Sequence, residues 1–368
     1  MTPLAGIKVV ELARILAGPW AGQVLADLGA EVVKVESPDG DDTRRWGPPF
    51  VRDDDGSEDA AYFHAANRGK RSVVADFATH AGRQTVLDLA RDADVLIENF
   101  KLGGLAKFGL DYASLHAVNP RLVYCSITGF GHTGPYAARA GYDFIIQGMS
   151  GIMDLTGDPQ GAPQKIGVAY ADILTGLYAV IAIQAALHQR EQTGKGQHID
   201  MALLDVMTGT LANQAMNYLV SGKSPRRLGN AHPNIAPYEA FPVADGWVII
   251  AVGNDAQFLR LCDTIDVPHD KKWWTNAGRV RDRVALSQAI AAQTRDWEKA
   301  ALLAALEEQG VPAGPINTVA EALADPQIAA RGMVLDLGES LKGLRTPIRF
   351  SDAELAQPKR SPKLGEDG

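Results

Sequence analysis

Two acids stand out as groups able to do chemistry. Asp172 ends the run Gly167-Val168-Ala169-Tyr170-Ala171-Asp172 at the threshold of the most apolar stretch of the chain, and Asp143 follows Gly141 and Tyr142 upstream. An aspartate at a helix start has two uses. Its oxygen can satisfy the free N–H groups of the first turn, or, in an apolar setting, it can act as a nucleophile. Both uses of Asp172 stay open, and Asp143 is the nearest acid able to support it. A second group is cationic. Asn67-Arg68-Gly69-Lys70-Arg71-Ser72 places three cations just ahead of an expected strand, and Asn99, Lys101 and Lys107 follow another. On a chain of net charge -8, such foci are either solvated loops or a phosphate clamp, arginine giving forked donors and lysine a point charge. With both groups expected at one sheet edge, a phosphorylated cofactor is favoured.

Other chemistries lack their residues. The first strand-to-helix turn, Ala13-Arg14-Ile15-Leu16-Ala17-Gly18-Pro19-Trp20, has one glycine where a dinucleotide fingerprint needs three. Glu36 is therefore a weak candidate for a ribose ligand, although a turn at that edge still suits another nucleotide. The eight histidines show no metal-ligand spacing, and no G-x-S-x-G elbow occurs. Cys125 and Cys262 are too few for a disulfide framework or a zinc site. A pI near 5.5 argues against nucleic acid or anionic membrane as partner. The first ten residues lack a signal-peptide pattern. The apolar window 173–187 is expected to be too short to cross a bilayer, and it contains Thr175 and Gln184. The expectation is an enzyme of the reduced cytoplasm.

The elements that must hold these groups alternate. Apolar runs at 7–12, 31–36, 72–77, 94–98 and 122–128 read as strands. Between them, one helix opens at Pro19 and is stopped by Gly29, and another covers 80–93. This alternation implies an α/β fold with a mainly parallel, Rossmann-like sheet. The strongest helical periodicity covers 172–192, and a further helix is expected over 203–219. Residues 221–237, rich in Gly, Pro, Ser and Asn, read as a linker. Beyond them come a hairpin about Ala244-Asp245-Gly246 and helices near 255–264, 280–294 and 297–309.

Several stretches, in order along the chain, carry a resemblance. They are Arg14 to Trp20, Asp41-Asp42-Thr43-Arg44 through Trp46-Gly47-Pro48-Pro49-Phe50, Asn67 to Ser72, Glu98-Asn99-Phe100, Thr128-Gly129-Phe130-Gly131 with Thr133-Gly134-Pro135-Tyr136, Ala171-Asp172 with Thr175-Gly176, Gly229 to Asn234, and Gly310-Val311-Pro312. Together they resemble the class III coenzyme A transferases, which include formyl-CoA transferase, carnitine CoA-transferase and, as a divergent branch, alpha-methylacyl-CoA racemase. The resemblance implies a Rossmann-like CoA-binding domain, here 1–220 completed by 325–368, a smaller α+β domain over 238–324, and an interlocked homodimer. It implies Asp172 as nucleophile, no permanently bound cofactor, and acyl-CoA with a small carboxylic acid as substrates.

By the same resemblance, CoA meets Leu16, Ala17, Lys70, Arg71, Asn99, Phe100, Lys101 and Lys107. The run Arg139-Ala140-Gly141-Tyr142 would line the pantetheine and thioester. Lys107 stands where the transferases often carry arginine. Val252-Gly253-Asn254-Asp255 has one glycine where formyl-CoA transferase has a run of them, which disfavours oxalate. The racemase branch carries histidine at the position of Tyr142, and a phenol of pKa about 10 is a poor base at neutral pH. Transfer is therefore expected over racemisation or a noncatalytic acyl-CoA-binding role. The implied chemistry is attack by a carboxylate already ionised at pH 7, giving a mixed anhydride and then an aspartyl-CoA thioester. Backbone donors for the oxyanion are expected from the glycine-rich segments at 128–134 and 141.

Overall fold

Apolar runs separated by helices can bury both of their faces only in a parallel sheet with helices on each side. The computed structural model, which describes every residue except Asp54, Glu339 and Ser340, has six such strands. They are β1 (Lys8–Glu11), β2 (Glu31–Glu36), β3 (Arg71–Val74), β4 (Val95–Glu98), β5 (Val123–Thr128) and β6 (His198–Ala202). All pair in parallel in the order β3-β2-β1-β4-β5-β6. That is the doubly wound order of a Rossmann sheet, with its switch point between β1 and β4. Val9, Ile97, Cys125 and Ile127 pack beneath helices α1 (Ala17–Asp27), α2 (Asp143–Met149) and α3 (Tyr170–Thr193). Val10, Leu12, Leu96 and Tyr124 face the opposite layer, with helices His80–Arg91 and Tyr112–Val118.

The apolar window at 173–187 proves to be part of a longer element. α3 has 24 residues, long and apolar enough to cross a membrane by length and composition, so the expectation that it falls short is corrected. In the fold its inner face, with Ala171, Ala179, Ile183 and Leu187, joins the sheet core. Gly176 brings it against α1, since a Cβ there would stand 2.7 Å from the Ala17 carbonyl oxygen. Arg190, near its end, is buried and pairs with Asp94 at 2.8 Å. The helix expected over 203–219 is two helices, α4 (Leu203–Gly209) and a second at Ala212–Ser221. The break falls at Ala212, whose φ of +46° lies outside the right-handed helical region.

Two units divide the chain: residues 1–152, 165–222 and 326–368 form the first, and 153–164 with 223–325 the second. The expected linker is therefore not a free connector, because residues 223–237 cluster with the second unit. So do 153–164, which the sequence reading assigns to the large domain. In the second unit, β7 (Tyr238–Val243), β8 (Gly246–Ala251) and β9 (Ala313–Pro315) form an antiparallel sheet, with β8 central. Phe241, Val248, Ile250, Phe258, Leu261, Ile290 and Leu302 make its core. In the first unit, the segment 360–368 returns to the sheet. Asp367 exchanges two hydrogen bonds with Ser72, at 2.9 and 3.0 Å, and so covers the free edge of β3.

Candidate active site

Asp172 is the third residue of α3, two beyond the first, Tyr170, with Ala169 as N-cap. It does not cap the helix. Asp143 does so from α2, its Oδ1 accepting the backbone N–H of Ala171 at 2.8 Å and of Asp172 at 3.4 Å. Asp143 is held in turn by Gln147, whose Nε2 donates to its Oδ2 at 2.8 Å while Oε1 accepts the Ile166 N–H at 2.9 Å. The Asp172 carboxylate is left partly buried. Burial first, and the Asp143 charge second, push its carboxyl up to about 7. The expected full ionisation at pH 7 is opposed by an apolar setting and a like charge, both of which favour the protonated carboxyl. The capping use left open by the sequence is taken by Asp143, and the nucleophilic use of Asp172 stays open.

The chain just before α2 is pinned to the end of β5. Gly141 and Gly129 meet backbone to backbone: a Cβ on Gly129 would lie 2.5 Å from the Gly141 Cα. No larger side chain fits where the end of β5 meets the start of α2. Tyr142 is exposed and precedes α2, and Ala140 beside it is exposed as well. Arg139 lies over the rings of Tyr136 at 4.6 Å and Phe130 at 5.3 Å. Tyr62, on the helix Ala61–Asn67, is within electrostatic reach. Burial and then the charges of Asp172 and Asp143 push its phenol up. No sequence signal marks Tyr62, whose acidic neighbours are distant in the chain, or Gln147, which links Asp143 one helical turn back to Ile166, 19 residues on.

At the switch point, the turn after β1 meets the loop after β4. Asn99 Oδ1 accepts the Arg14 N–H at 2.9 Å, and its Nδ2 donates to the Arg14 carbonyl at 2.7 Å. Its side-chain amide gives that turn one acceptor and one donor. Leu16 is the N-cap and Ala17 the first residue of α1, both buried. Phe100 lies 5.8 Å from the Arg14 guanidinium, which also pairs with Asp42 at 3.0 Å. Lys101 is exposed on the following loop, and Lys107 is exposed on the short 3-10 helix Ala106–Phe108, over the Phe108 ring.

Two expected CoA contacts point elsewhere. Lys70 Nζ is buried, meeting Glu11 at 2.8 Å and donating to the Pro19 carbonyl and Asn67 Oδ1, both at 2.8 Å. An ammonium has three protons, and all three are taken. Burial, with Lys34 beside it, pulls its pKa down to about 8 against the pull of Glu11. Arg71 opens β3 and faces Asp367 at 3.3 Å and, at 3.9 Å, Glu31, the first residue of β2. That is the amino end of β2, whereas Asn99 and Lys101 follow the carboxyl end of β4. The single-edge expectation is corrected by topology. Of the expected cations, Lys101 and Lys107 lie at the carboxyl edge, and Arg14 stands there too, sharing Asp42 with Arg45. Arg14 was missed, although its place just beyond the first strand is the usual place for a ligand contact.

The fold defines a doubly wound α/β protein of the class that binds ligands at the carboxyl ends of its strands. A model of CoA-transferase family III matches residues 4–368, and the chain belongs to that family. It is 60% identical to succinate–glutarate CoA-transferase of Agrobacterium fabrum, over 99% of this chain and 93% of that protein. It is 40% identical to succinyl-CoA:glutarate CoA-transferase of Homo sapiens, over 99% and 84% respectively. Among solved structures, a CaiB/BaiF family protein from Brucella suis matches with TM-score 0.92 at 65% identity, covering 99% of this chain and 97% of that one. The protein is an enzyme, a class III CoA-transferase, as the resemblance in its motifs implies.

Proposed function

We propose that the protein moves coenzyme A between two dicarboxylic acids, succinate and glutarate, by covalent catalysis at Asp172. The acid pair is taken from the names of its relatives. The observation that carries the mechanism is an aspartate at a helix start whose capping work is done by another acid. In the first step an Asp172 oxygen adds to the thioester carbonyl, and collapse expels CoA thiolate, leaving a mixed anhydride. The thiolate then attacks the aspartyl carbonyl, releasing the first acid and leaving an aspartyl-CoA thioester. The acceptor carboxylate attacks that thioester, and the thiolate returned by this step attacks the acceptor's own carbonyl. New acyl-CoA leaves and Asp172 is regenerated, with no bound cofactor required.

In this reading Leu16, Ala17 and Phe100 shape the CoA crevice, and Arg14, Lys101 and Lys107 face its phosphates. Arg139 to Tyr142 line the thioester, and Asp143 with Gln147 fix the start of α3. A homodimer would cover the outward faces of α2 and α3, helices that pack on each other. These leave Phe144, Ile145, Met149, Leu177, Tyr178 and Ile181 exposed, side chains of the kind that subunit interfaces bury. The test is to supply succinyl-CoA with labelled glutarate, then add hydroxylamine before turnover is complete. Labelled glutaryl-CoA and a hydroxamate on Asp172 support the reading. Transfer with the hydroxamate on another residue overturns the mechanism, and no transfer to any dicarboxylate overturns the substrate class.

A further inference from the structure

The turn after β1 holds a conformation that its own residues disfavour. Ile15 has φ +72°, in the left-handed region where a β-branched side chain crowds the backbone. Groups from two other segments hold it there. The Asp41 carboxylate, 1% exposed, accepts the Ile15 N–H at 3.3 and 3.2 Å through its two oxygens. It is anchored by the Thr43 N–H at 3.0 Å, the Thr43 hydroxyl at 2.8 Å and Lys34 at 2.9 Å. Asn99 closes its two hydrogen bonds on the adjoining Arg14 residue. Asp41 follows β2 and Asn99 follows β4, the strands on either side of β1. The turn is therefore gripped from both flanks. Strain of this sort persists only where the surroundings impose it, and it gathers at sites whose geometry is used.

What the turn delivers is the start of α1. Leu16 and Ala17 come next, and the Ala17 carbonyl lies against Gly176, one helical turn beyond Asp172. We propose that Asp41 and Asn99 are positioning residues of the transfer reaction. By pinning Arg14 and Ile15, they aim the Leu16–Ala17 backbone at the acyl-CoA thioester beside Asp172, and neither touches substrate. This rests on the transferase reading above. Freed of the grip, Ile15 relaxes toward negative φ and swings the start of α1 off its line, so acyl-CoA binds in a poorer pose.

The test variant is Asn99→Ala, which removes both bonds to Arg14. It should lower kcat/KM for acyl-CoA about 10- to 100-fold, the usual scale for a small misplacement, and leave KM for the acceptor acid unchanged. Ile15→Gly placed on top should recover part of that loss, because glycine adopts the left-handed turn without steric cost. Asp41→Asn, which keeps an acceptor oxygen, should fall between wild type and Asn99→Ala. Thermal melting of each variant checks that the fold is retained. A folded Asn99→Ala enzyme with wild-type kcat/KM, or with equal losses toward both substrates, overturns the proposal. Wild-type transfer reports separately on the transferase reading. Acyl-CoA affinity, measured by calorimetry in parallel, decides the positioning claim even if wild type transfers nothing: weakened affinity in Asn99→Ala supports it, and unchanged affinity overturns it.

Discussion

Two groups of buried charge in the first unit are built on opposite plans. In one, Lys34 pairs with Glu11 at 3.2 Å and Asp41 at 2.9 Å, and Lys70 pairs with Glu11 at 2.8 Å, every side chain fully buried. Two acids and two bases cancel. In the other, Asp143 and Asp172 stand side by side, and among the described residues neither has an ion-pair partner. A cancelled group has no free valence for a ligand and holds the sheet to α1. An uncancelled one costs stability, and such groups are kept where chemistry uses them. A lysine within a basic run is thus no sign of a phosphate site until the acceptors around its three protons are counted.

The contrast breaks most visibly at its acidic pole. Asp172→Asn keeps the volume but not the nucleophile, and transfer measured with labelled acid should fall about 10⁴-fold or more. Retained turnover would place the chemistry elsewhere. At the paired pole, Lys70→Met leaves the buried Glu11 and Asp41 to share the one charge of Lys34. The variant should lose about 3–5 kcal/mol in urea unfolding, while its folded fraction keeps the wild-type KM for acyl-CoA. A raised KM with unchanged stability would return Lys70 to the phosphate clamp.

The raised Asp172 pKa sharpens the contrast through pH. The rate constant kcat/KM for acyl-CoA should rise about tenfold per unit below pH 6 and level off above pH 8, reporting the free enzyme's ionisation. Because the folded pKa of about 7 lies above the unfolded value near 3.8, the native state holds this proton more tightly. Its contribution to stability is complete below pH 4 or so and is lost as pH rises through about 7. Asp172→Asn should therefore unfold later than wild type at pH 8, by about 1–2 kcal/mol, with the difference closing near pH 4. The smallest effect belongs to Arg71→Ala. Its pairs with Asp367 and Glu31 are half exposed, so stability should change by less than about 1 kcal/mol and the KM for acyl-CoA not at all.

The frame of the molecule was legible because strands buried on both faces are apolar along their length. The runs containing Val9, Val32, Val95 and Val123 announce themselves without knowledge of their neighbours. What escaped depends on contacts between distant segments. Asp172 reads as an acid at a helix start, but which of its two uses survives is decided by Asp143, brought across by α2. Tyr62 carries no motif for the same reason, and Asp41, although it stands in one of the resemblance stretches, shows its hold on Ile15 only in the fold. The helical period runs unbroken through 203–219 because periodicity does not register a single φ at Ala212. The misplaced clamp was readable in principle: Lys70 and Arg71 precede a strand, Asn99 and Lys101 follow one, and in a parallel sheet those are opposite ends.

The return of the segment 360–368 to the sheet also sets a timetable. The Arg44 guanidinium donates to the Pro362 carbonyl across 318 residues, and Ser72 reaches Asp367 across 295. The second unit, by contrast, draws most of its residues from one uninterrupted stretch, 223–325. Closing a loop of hundreds of residues is slow compared with forming local contacts. On a ribosome, the sheet begun first is therefore finished last. Its edge strand stays uncovered, and Arg44 lacks one acceptor, through the whole synthesis of the second unit. Nascent chains stalled within 223–325 should accordingly present β3 as their most aggregation-prone edge.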